Sequence, residues 1–286
     1  MSTTLPINWN TAIQYAVLVK IAESVAPTGS YGDAEIGQIK TAGYTFLQTI
    51  YGDDLATDID PHLGDVVTFG FLAVSATKEL VAVIRGTDTI LEWLHDAEFV
   101  PVPIPITGAH GLTEDGFTAV YLSLRIGPAQ GSLTAKDSIK SYLDAGAAAS
   151  VTVCGHSLGG ALATLLTLDV GLNTSCHAPI AYTFASPRTG DHIFASSYNA
   201  SIASSYRIAN RQDLVPKLPP ILPIPYEHVN TEFELNPPPN AIDPTILCMH
   251  HLTTYLWLMG QLAGSNPYPL DTGCAAAAAE AGNAHI

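Results

Sequence analysis

Two hydrophobic rhythms alternate along the chain. Short runs dense in Val, Ile, Leu and Phe are separated by stretches with apolar residues at helical spacing. Tyr44–Ile50 and Val66–Ser75 read as strands, and Leu80–Ile84 as a short, fully apolar one. Ser150–Cys154 is a β-branched strand, and Pro179–Phe184 and Ser205–Ala209 are two more. Asn10 is placed to cap a helix running to about Ser24, with Ala12, Tyr15, Ala16, Val19 and Ile21 mostly on one side. Gly116–Leu124 and Ser138–Asp144 read as helices, Leu158–Asp169 is a strong Ala/Leu/Thr helix, and one more is expected between Phe184 and Ser205. His251–Leu262 is the last clear helix. Val100–Ile106 interleaves proline with apolar residues, which bars it from a central strand and predicts an extended surface segment. Pro216–Pro225 is proline-rich and irregular, and Tyr226–Phe233 reads as a strand carrying His228. Strands alternating with helices predict an α/β fold, its mostly parallel central sheet covered by helices on both faces. With no internal repeat and no linker, one domain over residues 1–286 is expected.

Composition narrows the picture. Apolar residues make up 47% and charged residues 13%, against about 25% charged in soluble domains. That scarcity raises the question of a membrane protein. No apolar run reaches the roughly 18 residues a spanning helix needs, so no transmembrane segment is expected. The apolar fraction also excludes disorder. Lys+Arg total 11 against 26 Asp+Glu, a net charge of −15. A nucleic-acid backbone would be repelled, and no basic cluster overrides the balance. The acidity reads as solubility. Cys154, Cys176, Cys248 and Cys274 are scattered without a CxxC, so neither a zinc ribbon nor a disulfide framework is implied, and a single bridge stays open. Met1–Asn10 lacks a basic region followed by an apolar stretch, so no signal peptide is expected and the compartment stays open between secreted and cytoplasmic. The sequons at Asn173 and Asn199 carry little without such a signal. Oligomeric state has no sequence signal.

The most informative stretch is Val151–Gly160. It reads as a strand, then Gly155-His156-Ser157-Leu158-Gly159, then a helix. A serine at the tip of a tight strand-to-helix turn has strained backbone geometry. Glycines two residues on either side remove the side chains that would collide there. The turn lifts the Ser157 hydroxyl above the sheet, and the helix aims its first N–H groups at the same spot. An inert glycine-rich turn is the bland alternative, and the flanking strand and helix weigh against it. Adjacent residues on such a turn point different ways, so His156 reads as a structural elbow residue and not the base.

Here the chain resembles the class 3 lipases, the α/β-hydrolase family of fungal triacylglycerol lipases. The matching stretches fall in the family's order. Val81–Thr87 resembles its oxyanion strand. Gly116-Phe117 resembles its G-F element, with Glu114 where a histidine is usual. Gly155–Gly160 is the elbow, Phe184–Arg188 resembles the strand after the elbow helix, and Asn210–Pro216 resembles the acid loop. The resemblance covers roughly Asp65 to Gly260.

A serine hydroxyl needs a base to become a nucleophile, and the base needs a third group to orient it. In this fold the chain order is Ser, acid, His. Of Asp169, Asp191, Asp213 and Asp243, Asp213 lies just past a strand end and on the family's acid position. Asp191 has the better claim to capping a helix. Among His228, His250, His251 and His285, the family's H-x-L-x-x-Y pattern favours His250 over His251. A loop histidine just ahead of a helix also swings into a site more freely. Resemblance and geometry give the oxyanion hole the Leu158 N–H, and Thr87 follows as its second donor. Ile90–Asp96, around Trp93, matches the family's lid, expected at about 88–98, though an ordinary packed helical turn reads the same way. No HExxH and no ligand-spaced Cys/His cluster is present, so neither metal nor cofactor is expected. The resulting expectation is a serine carboxylic-ester hydrolase. The first expectation within that class is a lipase that cleaves acylglycerol esters through an acyl-enzyme on Ser157, its substrate met at a lipid–water interface. The alternative is an esterase for soluble or aromatic esters of the feruloyl type. A non-enzymatic binding protein fits poorly, since all triad candidates are present.

Overall fold

Chain direction and burial follow the two rhythms closely. In a computed structural model, residues 6–53, 66–87, 99–129, 131–222, 225–265 and 268–276 are described. The central sheet has eight strands. In chain order they are β1 (Tyr44–Asp53), β2 (Val66–Ser75), β3 (Glu79–Ile84), β6 (Arg125–Ile126), β7 (Ser150–His156), β8 (Ile180–Phe184), β10 (Ser204–Asn210) and β12 (Glu232–Leu235). Their spatial order is β12-β10-β8-β7-β3-β2-β1-β6. The five strands from β12 to β3 are mutually parallel, and β2, β1 and β6 extend the sheet antiparallel.

Alternation along the strands builds two cores. Val81 and Val83 face one side with Tyr182 and Phe184, packed under α1 (Trp9–Glu23) and α8 (Leu252–Ala263). Leu80, Ala82 and Ile84 face the other with Val151 and Val153, under α3 (Asp115–Ser123), α4 (Ala135–Asp144), α5 (Leu158–Asn173) and α6 (His192–Ser201). A sheet covered on both faces needs near-continuous apolar strands, which accounts for much of the scarcity of charge.

Several boundaries differ from the sequence expectation. Asn8, not Asn10, caps α1, because its side-chain oxygen accepts the N–H groups of Asn10 and Thr11. A helix at α2 (Asp33–Thr41) had no apolar stripe to reveal it, and only Ile39 is buried. The proline segment does pair, as β4 (Pro101–Pro103), at the edge of a second sheet ordered β11-β9-β5-β4. It pairs with β5 (Leu112–Glu114), and the sheet continues through β9 (Gly190–Asp191) to β11 (Tyr226–Glu227). Edge placement is what proline tolerates. The expected strand Tyr226–Phe233 splits between the two sheets as β11 and β12, with Asn230 at φ 49 between them. His250 is no loop residue. It ends a short helix, α7 (Ile246–His250), and His251 is the joint to α8. The bridge left open by sequence is Cys248–Cys274. Cys154 and Cys176 are free and buried.

Register places the site. Ile84 pairs with Gly155, His156 with Phe184, and Phe184 with Ile208. The C-terminal ends of β3, β7, β8 and β10 therefore lie side by side, where catalytic loops of α/β sheets collect.

Candidate active site

The elbow is tight enough to require its glycines. A Cβ on Gly155 would lie 2.1 Å from the Gly159 oxygen, and one on Gly159 would lie 2.3 Å from the Arg85 oxygen. Ser157 takes φ 56, ψ −128 and stands as N-cap of α5. That backbone region favours glycine, and a serine held there is strained. Its hydroxyl donates to His250 Nε2 at 2.8 Å. His250 Nδ1–H in turn donates to Asp213 Oδ2 at 2.8 Å. The structure thus brings together the three residues singled out as nucleophile, base and acid. All are buried, with Asp213 at 0% exposure. His251 points away, exposed, its Nδ1 on Thr253 Oγ1.

Asp213 follows β10 in a turn closed by its own N–H on Asn210 O. Its carboxylate takes two further donors: Tyr255 Oη on Oδ2 at 2.8 Å, and the Val215 N–H on Oδ1 at 3.0 Å. Tyr255 Oη itself accepts the Asn210 N–H at 3.0 Å. A carboxylate so fully donated to is fixed in place and can hold the imidazole in one tautomer. Burial lowers the His250 pKa, and the Asp213 hydrogen bond and charge only partly restore it. The ring is therefore neutral at pH 7, with Nε2 free to accept a proton.

The segment carrying His250 is pinned by side chains. A helix end leaves carbonyls without intrahelical partners. Three successive ones are taken here: Cys248 O by Thr254 Oγ1 (2.7 Å), Met249 O by Asn210 Nδ2 (2.8 Å) and His250 O by His156 Nε2 (2.9 Å). His156 Nδ1 meets Glu23 Oε1 from α1 at 2.8 Å. Sequence reading set His156 aside as a structural elbow residue, and its side chain indeed does not contact the Ser157 hydroxyl. Glu23 gave no local signal, since it lies 133 residues from its partner.

Leu158 opens α5 directly after the nucleophile. Thr87 is half-buried and follows Gly86, where a Cβ would approach Ser157 Cβ to 3.2 Å. Both expected oxyanion residues thus border the elbow. Trp93 and the lid segment 88–98 lie outside the described residues. Asp191 caps α6 through Phe194 N–H (2.8 Å), as its position suggested. Asp169 is held by Tyr121 and Asn173, away from the triad. Glu114, standing where the family has histidine, caps α3 through Phe117 N–H (2.8 Å). His228 gives its Nε2–H to Pro216 O, and burial with nearby Arg207 lowers its pKa to about 3. It is a neutral structural group.

A sequence profile described as Lipase (class 3) matches residues 81–222. Phospholipase A1-II 7 of Oryza sativa subsp. indica is 31% identical over 221 residues, covering 67% of this chain and 53% of that protein. The lipase of Rhizomucor miehei is 38% identical over 152 residues, covering 50% of this chain and 38% of that protein. The chain thus spans about half the length, or less, of these relatives. The crystal structure of the lipase from Rhizopus microsporus var. chinensis has a TM-score of 0.61 at 23% identity, covering 82% of this chain and 76% of that one. That likeness shows the fold, and a fungal lipase structure at 28% identity has a TM-score of 0.57 over 80% of this chain and 78% of its own. With an α/β-hydrolase sheet, a Gly-His-Ser-Leu-Gly elbow and this matched span, the chain belongs to the class 3 lipase family.

Proposed function

We propose that the protein is a serine hydrolase of lipid carboxylic esters, acting through an acyl-enzyme on Ser157. The observation that carries the reading is the unbroken hydrogen-bond chain from Ser157 through His250 to Asp213, each link 2.8 Å. His250 Nε2 takes the hydroxyl proton as Ser157 Oγ attacks the ester carbonyl. The oxyanion is received by the N–H groups of Leu158 and Thr87, each such donor worth about 2.7–4 kcal/mol of barrier. The tetrahedral species collapses, the C–O bond breaks, and His250 returns the proton to the departing alcohol. Water then repeats the sequence on the acyl group. The lipid part of the reading is supported by relatives named as phospholipase A1, as lipase and as mono- and diacylglycerol lipase. All act on acyl esters, so the substrate class is an acylglycerol or a glycerophospholipid, with triacylglycerol as the finer assignment. Trp93 and its neighbours are assigned to contact that lipid.

The test is an activity profile of the parent and Ser157→Ala. Substrates are long- and short-chain triglycerides, diacylglycerol, phosphatidylcholine and soluble p-nitrophenyl and hydroxycinnamate esters. The parent is expected to cleave long-chain esters, with a rate jump once an interface forms. Ser157→Ala loses about 10⁴-fold or more of kcat. Undiminished hydrolysis by Ser157→Ala removes serine catalysis. Activity confined to soluble short or aromatic esters replaces the lipid reading with the esterase one.

A further inference from the structure

Glu23 and His156, the histidine buried and the glutamate half-buried, form a pair that the mechanism above does not use. His156 Nδ1 faces the Glu23 carboxylate at 2.8 Å and Nε2 faces the His250 carbonyl at 2.9 Å. A carbonyl only accepts, and so does an ionised carboxylate. Both ring nitrogens must then carry protons, which makes the ring an imidazolium with Glu23 as its counter-ion. The backbone N–H of Gly86 also acts on the Glu23 carboxylate and favours its ionised form. Gly86 directly precedes Thr87, and a Cβ on it would come within 3.2 Å of His156 O and Ser157 Cβ in the elbow. One carboxylate from α1, outside the span matched by the family profile, thus bonds the elbow histidine and acts on the turn ahead of Thr87.

We propose that Glu23 is a positioning residue. Through its bond to His156 it holds that ring against the His250 carbonyl, so that the base keeps a fixed place beside the elbow. The inference rests on the serine-hydrolase reading given above. Of the three side chains that cap carbonyls 248 to 250, only His156 is tied to a second charged group. The ring of His156 also lies 4.8 Å from that of His250, tilted by 33°. A charged ring there opposes protonation of His250, and Glu23 moderates the effect from farther away. Other groups act on the pair from each neighbouring element. Arg85, after β3, acts on Glu23, with its own Nη1 on Val25 O. Asp213, after β10, acts on His156. Tyr255, on α8, presents its ring 6.1 Å from the imidazole. Burial alone would lower the His156 pKa, but the charge and hydrogen bond of Glu23 outweigh it and the net direction is up. Burial likewise pushes Glu23 up, and His156 with the Gly86 N–H brings it below the usual carboxylate range.

Parent, Ser157→Ala, Glu23→Ala and Glu23→Gln are compared on a soluble p-nitrophenyl ester across pH. Glu23→Ala is expected to lose roughly 10- to 100-fold in kcat with KM within about twofold, the signature of a misplaced base. Glu23→Gln can still bond a neutral His156 and is expected to recover most of that loss. With the positive ring gone, protonation of His250 becomes easier, so the acid limb of kcat/KM moves to higher pH. A role in packing alone would leave that limb in place. In the parent, ¹⁵N-histidine spectra at pH 7 should show His156 protonated on both nitrogens, and Glu23→Gln should show it neutral. A parent-like kcat and acid limb in Glu23→Ala overturns the proposal, as does a neutral His156 in the parent. Should Glu23→Ala not fold, the limb and spectrum of Glu23→Gln decide. A parent inert toward every ester, or a fully active Ser157→Ala, sinks the hydrolase reading instead, and the spectrum still reports on the pair.

Discussion

Asp213, the proposed acid, is held in place by the groups around it. Its buried carboxylate accepts from His250, Tyr255 and the Val215 N–H. Tyr255→Phe removes one of these donors and leaves the Asn210 N–H unpaired. We expect a loss of about 1–3 kcal/mol of folding stability, read by urea denaturation, and a lower kcat at constant KM. Unchanged stability and kcat together would show that the hydroxyl is dispensable. Ser157, Asp213 and His250 were legible in the sequence because each sits in a short motif and the chain order is fixed by the fold. Tyr255 was visible within H-x-L-x-x-Y, but no local rule gives its hydroxyl a partner 42 residues away. Glu23 was not visible at all. A glutamate near the end of an apolar helix looks like an ordinary solvated residue until the helix is packed against the elbow.

Short elements decide where His250, the proposed base, stands. α7 has five residues and carries His250 at its last position, two residues beyond Cys248. The Cys248–Cys274 bridge closes 26 residues of sequence. Asp243 N–H on Cys274 O and Ala276 N–H on Ala241 O strengthen the same clasp. Loop-closure entropy assigns such a bridge about 3–4 kcal/mol. Cys274→Ser is therefore expected to lower the urea midpoint and to reduce kcat, because the released strand no longer braces α7. A normal midpoint in Cys274→Ser would mean that the hydrogen bonds alone suffice. At this scale the sequence was informative where periodicity was strong. β2 occupies the residues expected of it, and α5 begins where the elbow requires. It was silent for α2, whose nine residues bury only Ile39, and for α7, too short to show a period. Cysteine spacing cannot name a pair, so the bridge needed three-dimensional proximity.

Across the whole molecule, strand–helix alternation revealed the architecture, because a parallel sheet requires helices on both faces. The scarcity of charge fits that burial. Among the described residues no helix is long and apolar enough to cross a membrane. Global stability also records the backbone of Ser157. Its φ of 56 is a conformation that a β-carbon resists. Ser157→Ala and Ser157→Gly both lack the hydroxyl, so they differ only in that β-carbon. At most positions glycine is the weaker choice by roughly 0.5–1 kcal/mol. Here we expect Ser157→Gly to be the more stable of the two by about 1 kcal/mol, raising Tm by about 2–4 °C. Equal melting points, or a lower one for glycine, would mean that the elbow stores no strain. The same comparison has a practical side. An inactive molecule relaxed at its nucleophile would hold an uncleaved ester long enough to be crystallised with it, so the position that costs the living enzyme stability becomes the handle by which its substrate is caught.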